Sequence, residues 1–399
     1  MSHHHHDLGP HLSGPVTLTH THDGHTHTHV HADALPEGAA PRLHLRGTVL
    51  PQGEEMDLWI VDGKVTYEAV AGAVTVSTGG WIMPGLVDAH CHIGLDHHGA
   101  VDEETTETQA LADRDAGTLL ARDAGSPADT RWIDDREDLP RVIRAGRHIA
   151  RPRRYIRNFA EEVEPEEMVD EVRRQARRGD GWVKLVGDWI DREVGDLRPL
   201  WPADVAAEAI EAAHEEGAKV TAHCFDEQSV AELVRAGIDG IEHGTGLDDE
   251  TIEIMAERGV SLVPTMINLE TFPDIADAAG EKFPVYGDHM RALHARRFET
   301  MGKALDAGVP IYAGTDAGGA LAHGIIADEI ELLAQVGGNE FALGAASWRA
   351  REWLEAESLE EGASADLVVF AEDPRVNISV VRAPQLIILR GHVVGGSAG

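Results

Sequence analysis

Two imidazoles two positions apart, His90 and His92, close the apolar run Pro84-Gly-Leu-Val-Asp-Ala-His90-Cys-His92. Alternate side chains of a β-strand share a face, so both rings turn to one side while Cys91 turns to the other. A metal ion requires such convergent ligands, and an apolar core does not. Further along, His223 follows Lys219-Val-Thr-Ala222, His243 follows Ile238-Asp-Gly-Ile-Glu242, and Asp316 follows Ile311-Tyr-Ala-Gly-Thr315. A single histidine is more often a hydrogen-bonded core or capping group, and Asp316 could simply cap a helix. Five such residues at four strand ends point instead to zinc or a related divalent ion. Lys184 lies within the apolar segment Gly181-Trp-Val-Lys-Leu-Val186. As an ammonium it is a poor ligand and could snorkel or pair with an acid. As a carbamate formed with carbon dioxide, it would place two oxygens between two ions.

These residues need a scaffold that brings distant strand ends to one rim. Candidate strands begin near Ile82, Thr118, Val142, Trp182, Lys219, Ile238, Val260 and Val309, with amphipathic helices between them. The helix from Ala203 has Pro202 at its start and Gly217 at its end, Asp226 is placed to cap the helix running to Arg235, and Asp248 or Asp249 the helix running to Arg258. Eight strand and helix units predict an α/β fold of the TIM (β/α)8 type, whose chemistry sits at the C-terminal strand ends. Short strand signals at 42–80 and 354–399 are too few on either side for a separate core, so they are expected to join as one small composite β-sandwich, with the barrel spanning 81–353. Residues 1–41 read as a leader without folded elements; its first 31 residues hold eleven of the 24 histidines, and His3 to His6 resemble part of a purification tag. This leader could bind transition metals loosely, which makes a non-catalytic metal-buffering protein an alternative to an enzyme.

The chain has 399 residues, enough for a barrel and a smaller domain. Its 34 Lys and Arg against 70 Asp and Glu give a net charge of -36, which opposes broad binding to nucleic acid or anionic lipid. Cys91 and Cys224 offer no disulfide framework and read as packed thiols. No apolar run is long enough to cross a bilayer and no secretory signal is visible, so a cytoplasmic location without membrane attachment is expected.

The order of these segments resembles the amidohydrolase superfamily, in its imidazolonepropionase-like and prolidase-like branch. The resemblance runs from about Arg42 to Val394 and includes the His90-Cys-His92 segment, Val183-Lys184, Ala222-His223, Ile241-Glu-His243-Gly244, Gly314-Thr-Asp316-Ala-Gly and Ala365-Asp-Leu-Val-Val. It implies that His90, His92 and Asp316 bind a buried ion and His223 and His243 a more exposed one, two zinc ions in the leading form. Lys184, carboxylated, and a hydroxide would bridge them. It also makes Asp316 the catalytic residue that takes the proton of the attacking water and passes it to the departing nitrogen.

The expected reaction is hydrolysis of a C–N bond in a small molecule, namely an N-acyl amino acid, a dipeptide or a cyclic amide, with imidazolonepropionase-like ring opening as the alternative. His323, just past the last strand, could contact a substrate carboxylate or carbonyl. Seven arginines between Arg141 and Arg157 could place one or two, such as Arg154, at the mouth with Tyr155 and favour a carboxylate-bearing substrate. Trp189 could wall a leaving-group pocket. Phe225 stands where the dipeptide-hydrolysing relatives often carry Tyr, which removes a hydroxyl and weakens the transfer of dipeptidase specificity. Glu242 is expected to face away from His243 as a supporting partner, and Arg122-Asp123 to anchor the barrel or a loop. A homo-oligomer is compatible with the sequence.

Overall fold

The computed structural model describes residues 41–396 and the backbone of 16–22 and 25–31. Within the leader, Val16–His22 and His25–His31 pair antiparallel as a hairpin, where composition alone suggested no folded element. Alternating Thr, Val and His around Asp23-Gly24 carry the strand and turn propensity that the histidine count obscures. The rest of the leader lies outside the described residues.

The core is a barrel of parallel strands: β1 (Leu86–Cys91), β2 (Thr118–Asp123), β3 (Arg141–Arg144), β4 (Trp182–Val186), β5 (Lys219–Cys224), β6 (Gly240–His243) and β7 (Ser261–Val263). The eighth member is irregular. Its residues 309–316 join β7 through Leu262 N to Pro310 O and Tyr312 N to Leu262 O, and close on β1 through Ala89 N to Ala313 O and Asp316 N to His90 O. Apolar side chains dominate the outer faces of these buried strands, which helices cover, while the inner faces also carry the buried polar groups Arg122, Lys184 and Glu242. Asp226 accepts from Ser229 N at the start of Glu227–Ala236, and Asp248 from Thr251 N at the start of Asp249–Arg258. Each of these helices stops at a left-handed glycine, Gly237 or Gly259.

The apolar run that reads as one strand from Ile82 is two strands. Trp81–Pro84 pairs antiparallel with Leu367–Phe370 in the terminal sheet, whereas β1 starts after Gly85 and pairs with β2. A Cβ at Gly85 would lie 2.6 Å from the Leu119 side chain, so the chain changes sheets at a residue that must lack one. The terminal sheet has eight strands drawn from both chain ends. It branches at Leu43–Val49, which pairs with 54–61, 74–77 and 81–84, so the strands from both chain ends are hydrogen-bonded into one connected unit, as expected of a composite β domain.

A polar clasp joins two barrel helices and the short strand Asp196–Pro199. His289, on the helix Pro284–Asp306, lies 3.0 Å from Glu227 and 2.9 Å from Asp196. The hydrogen bond to Glu227, aided by Asp196 against the opposing effect of burial, pushes its pKa up to about 9. The folded value exceeds the ordinary 6.5, so the stabilisation is complete below about 6.5 and is lost as pH rises through about 9. His289→Ala is therefore expected to lower unfolding free energy by about 1–2 kcal/mol on the acid side of that window and by much less on the alkaline side. Urea titrations of both proteins across the window check this; a pH-independent difference would contradict it.

Candidate metal centre

Three ligand atoms meet at the C-terminal end of the barrel. His92 Nε2 is 2.9 Å and His90 Nε2 3.2 Å from Asp316 Oδ1, and the two nitrogens are 3.3 Å apart. The opposite ring nitrogens decide what these atoms are. His92 Nδ1 lies 2.7 Å from Gly125 O and His90 Nδ1 2.7 Å from Glu242 Oε2; with the ring proton assigned to Nδ1 in both, each Nε2 is left with a lone pair. Two lone pairs and a carboxylate oxygen then face one another in a buried space, an arrangement that repels unless a cation sits among them. These residues fit a divalent ion.

The surrounding structure fixes that geometry. Asp88 accepts from His90 N, Thr315 N and the Thr315 hydroxyl, tying β1 to the segment that ends in Asp316. A Cβ at Gly314 would lie 2.6 Å from that of His90, and one at Gly318 would meet the His92 carbonyl, which explains the glycines flanking Asp316. Asp316, His243 and Thr265 all hold positive φ, of 59°, 67° and 48°. Strain of this kind persists where the surroundings over-determine it, and here it turns side chains away from the regular strand direction toward the centre. Burial opposes ionisation of Asp316, but the neighbouring His90 and His92 hold its carboxyl well below the usual range.

A second pair lies beside the first. His223 Nδ1 is 3.0 Å from His243 Nε2, and His243 Nδ1 is 2.7 Å from the Thr265 hydroxyl. Burial, then the Lys184 charge, brings His223 down to about 3, leaving a neutral ring with a lone pair to give. Lys184 Nζ is 3.5 Å from His90 Nε2 at the base of the site, and burial lowers its pKa. Among the described residues, the three-ligand group His90, His92 and Asp316 is the one set of His, Cys, Asp and Glu that converges closely enough for an ion. Cys91 packs away from it against Ile93, Ala110 and Ala121, and Cys224 is likewise buried.

Glu242 supports the centre from inside the barrel. Arg122 donates to it at 2.5 Å and to Ala89 O at 2.7 Å, with its guanidinium over the Trp182 and Trp353 rings at 4.7 and 5.1 Å. Burial works against the Glu242 carboxylate, but Arg122 and the neighbouring His90 hold its pKa well below the usual value. Asp123 accepts from Gly125 N, whose residue's carbonyl orients His92.

Above the centre opens a cavity of about 520 Å³, walled by Tyr155, Trp189 and Phe225 beside His92, His223 and Asp316. Three of the five substrate-contact candidates are thus brought together. Arg154 is not among the lining residues: its guanidinium is 3.1 Å from Asp191 and donates to Trp189 O, bracing the loop behind the wall. Four neighbouring arginines are likewise spent, Arg141 on Asp366, Arg144 on Asp180, Arg147 on Glu161 and Arg151 on Glu164. His323 is buried and bound to Asp113 at 2.8 Å, so it anchors the loop after the last barrel segment to the helix Glu103–Asp115. Sequence reasoning passed over His148, a fully buried ring 5.0 Å from that of His92 and 5.3 Å from that of Tyr155, with neither nitrogen partnered. Its place just after the third strand was the available signal.

Residues 81–394 match the amidohydrolase family model. The chain belongs to the amidohydrolase family. An uncharacterised protein of Mycobacterium bovis is 58% identical over 362 residues, which cover 90% of this amidohydrolase and 98% of that protein. Among solved structures, a Xaa-Pro dipeptidase with bound methionine superposes with a TM-score of 0.73 at 21% identity, covering 88% of this chain and 99% of that one. The ochratoxinase of Aspergillus niger superposes with a TM-score of 0.73 at 21% identity, covering 90% and 96%. These likenesses agree with the barrel and the terminal sheet. No helix among the described residues is long and apolar enough to cross a membrane.

Proposed function

We propose that this amidohydrolase hydrolyses the C–N bond of an amide-like small molecule at a centre of two divalent ions, in the leading form zinc. The carrying observation is the convergence of His90, His92 and Asp316, with both Nε2 lone pairs turned inward by Glu242 and Gly125. In this reading His90, His92 and Asp316 would hold one ion and His223 and His243 the other, and Lys184 as a carbamate would supply further oxygen ligands. Carbamate formation consumes a free amine, so the burial that lowers the Lys184 pKa favours it. Bound there, divalent ions would acidify a water and stabilise negative charge on the substrate carbonyl oxygen. Asp316 accepts the proton of the attacking water, whose oxygen bonds to the carbonyl carbon. The same carboxyl group then gives that proton to the nitrogen as the C–N bond breaks. Tyr155, Trp189 and Phe225 position the substrate's apolar part and exclude water from the reacting atoms. N-acyl amino acids, dipeptides and cyclic amides are the substrate groups within this reach, and the names of the dipeptidase and the ochratoxinase are compatible with it.

The barrel contains this whole apparatus, so deleting residues 1–41 should leave metal-dependent hydrolysis of a responsive substrate unchanged. The deleted and full chains are compared on a panel of acyl amino acids, dipeptides, cyclic amides and uncharged aryl and alkyl amides, with chelated controls. Loss of activity with the leader, or no metal-dependent turnover across the panel, would overturn the reading in favour of metal buffering.

A further inference from the structure

Charge is distributed unevenly around the cavity. Its apolar side combines Tyr155, Trp189 and Phe225 with Ile156, Phe159 and Ile275. Its polar side is Asn268, Thr271 and Asp274. No lysine or arginine lines it among the described residues, and its carboxylates are Asp316 at the base and Asp274 at the rim. Asp274 is exposed at the mouth. Five of the seven arginines between Arg141 and Arg157 are engaged by carboxylates, namely Asp366, Asp180, Glu161, Glu164 and Asp191, and none of the seven lines the cavity. Phe225 adds a ring and no hydroxyl next to His223, at 4.3 Å between centroids.

From this we infer that the cavity selects uncharged amides bearing an aryl or branched-alkyl group and discriminates against substrates with a carboxylate beside the scissile nitrogen. A carboxylate entering here would leave water for an apolar wall that offers it no cationic partner, and it would pass Asp274 on the way. An aryl group gains instead, because aromatic walls reward offset and edge contacts beyond area alone. The inference rests on the hydrolytic reading above and narrows it to the members of that class without an anionic group.

The test uses the zinc-loaded full chain and two probes with the same scissile bond, N-acetyl-2-phenylethylamine and N-acetyl-L-phenylalanine, which differ in one carboxylate. Binding is measured by calorimetry and turnover by amine release. The neutral probe should bind more tightly and show kcat/KM higher by at least about tenfold, the equivalent of one misplaced charge. Equal or better binding of the anionic probe would overturn the inference and leave the hydrolytic reading intact. If neither probe is turned over, binding still decides the inference, while the absence of turnover counts against the hydrolytic reading alone. Asp274→Asn should narrow the gap and Ile156→Arg should narrow it further by supplying the missing cation. A gap unchanged in both variants would remove the preference from this cavity.

Discussion

Asp316→Asn is expected to lower kcat by at least about 10³-fold while changing substrate KM little, because it removes the proton carrier and leaves the aromatic wall untouched. The isosteric amide keeps the space and one oxygen. It cannot take up a proton as a carboxylate does, and it brings no negative charge to the ion that His90 and His92 would hold with it. Asp316→Ala should reach the same floor and also release metal from the three-ligand group. Metal content measured alongside kinetics separates the two effects. An Asp316→Asn enzyme that retains its metal and turns over near the wild-type rate would refute the assignment.

The second large effect is expected at Lys184. Lys184→Met preserves the volume of a side chain buried in β4 and removes the amine. Activity should fall by at least about 100-fold, and tightly held metal should drop toward one ion per chain, because His223 and His243 alone offer two ligand atoms. A Lys184→Ala variant leaves a cavity that a short carboxylic acid can enter. Added acetate or propionate should recover part of the activity if the native side chain works through carbamate oxygens. Retention of two ions and full activity in Lys184→Met would leave the lysine a structural ammonium paired with its buried acids.

Much of this centre was legible in the sequence because ligand geometry obeys strand periodicity. His90 and His92 share a face and Cys91 turns away as alternation predicts; Glu242 supports the site through Arg122 and His90, but the positive φ at His243 breaks the alternation, so both neighbours reach the centre where opposite faces were expected. The helix caps at Asp226 and Asp248 were legible for the same local reason. Contacts set by loops were not. Arg154 sits close to the mouth in sequence, yet it and Arg141, Arg144, Arg147 and Arg151 found carboxylates that the acidic composition supplied elsewhere in three dimensions. His323 follows the last barrel segment as a substrate ligand would, but Asp113 on a preceding helix captures it. The division of the Ile82 run depends on one missing Cβ at Gly85 against Leu119, a tertiary fact that local hydrophobicity does not encode.

The central claim is that these strand ends form a two-ion hydrolytic centre. Anomalous diffraction at the zinc edge from crystals of the zinc-loaded full chain tests it most directly, since it places each ion regardless of what the histidine-rich leader binds. Two peaks are expected, one among His90, His92 and Asp316 and one at His223 and His243, with carbamate density on Lys184 between them. A single peak at the first group, with Lys184 unmodified, would contradict the bridged two-ion account, and no peak at the strand ends would contradict the metal centre itself.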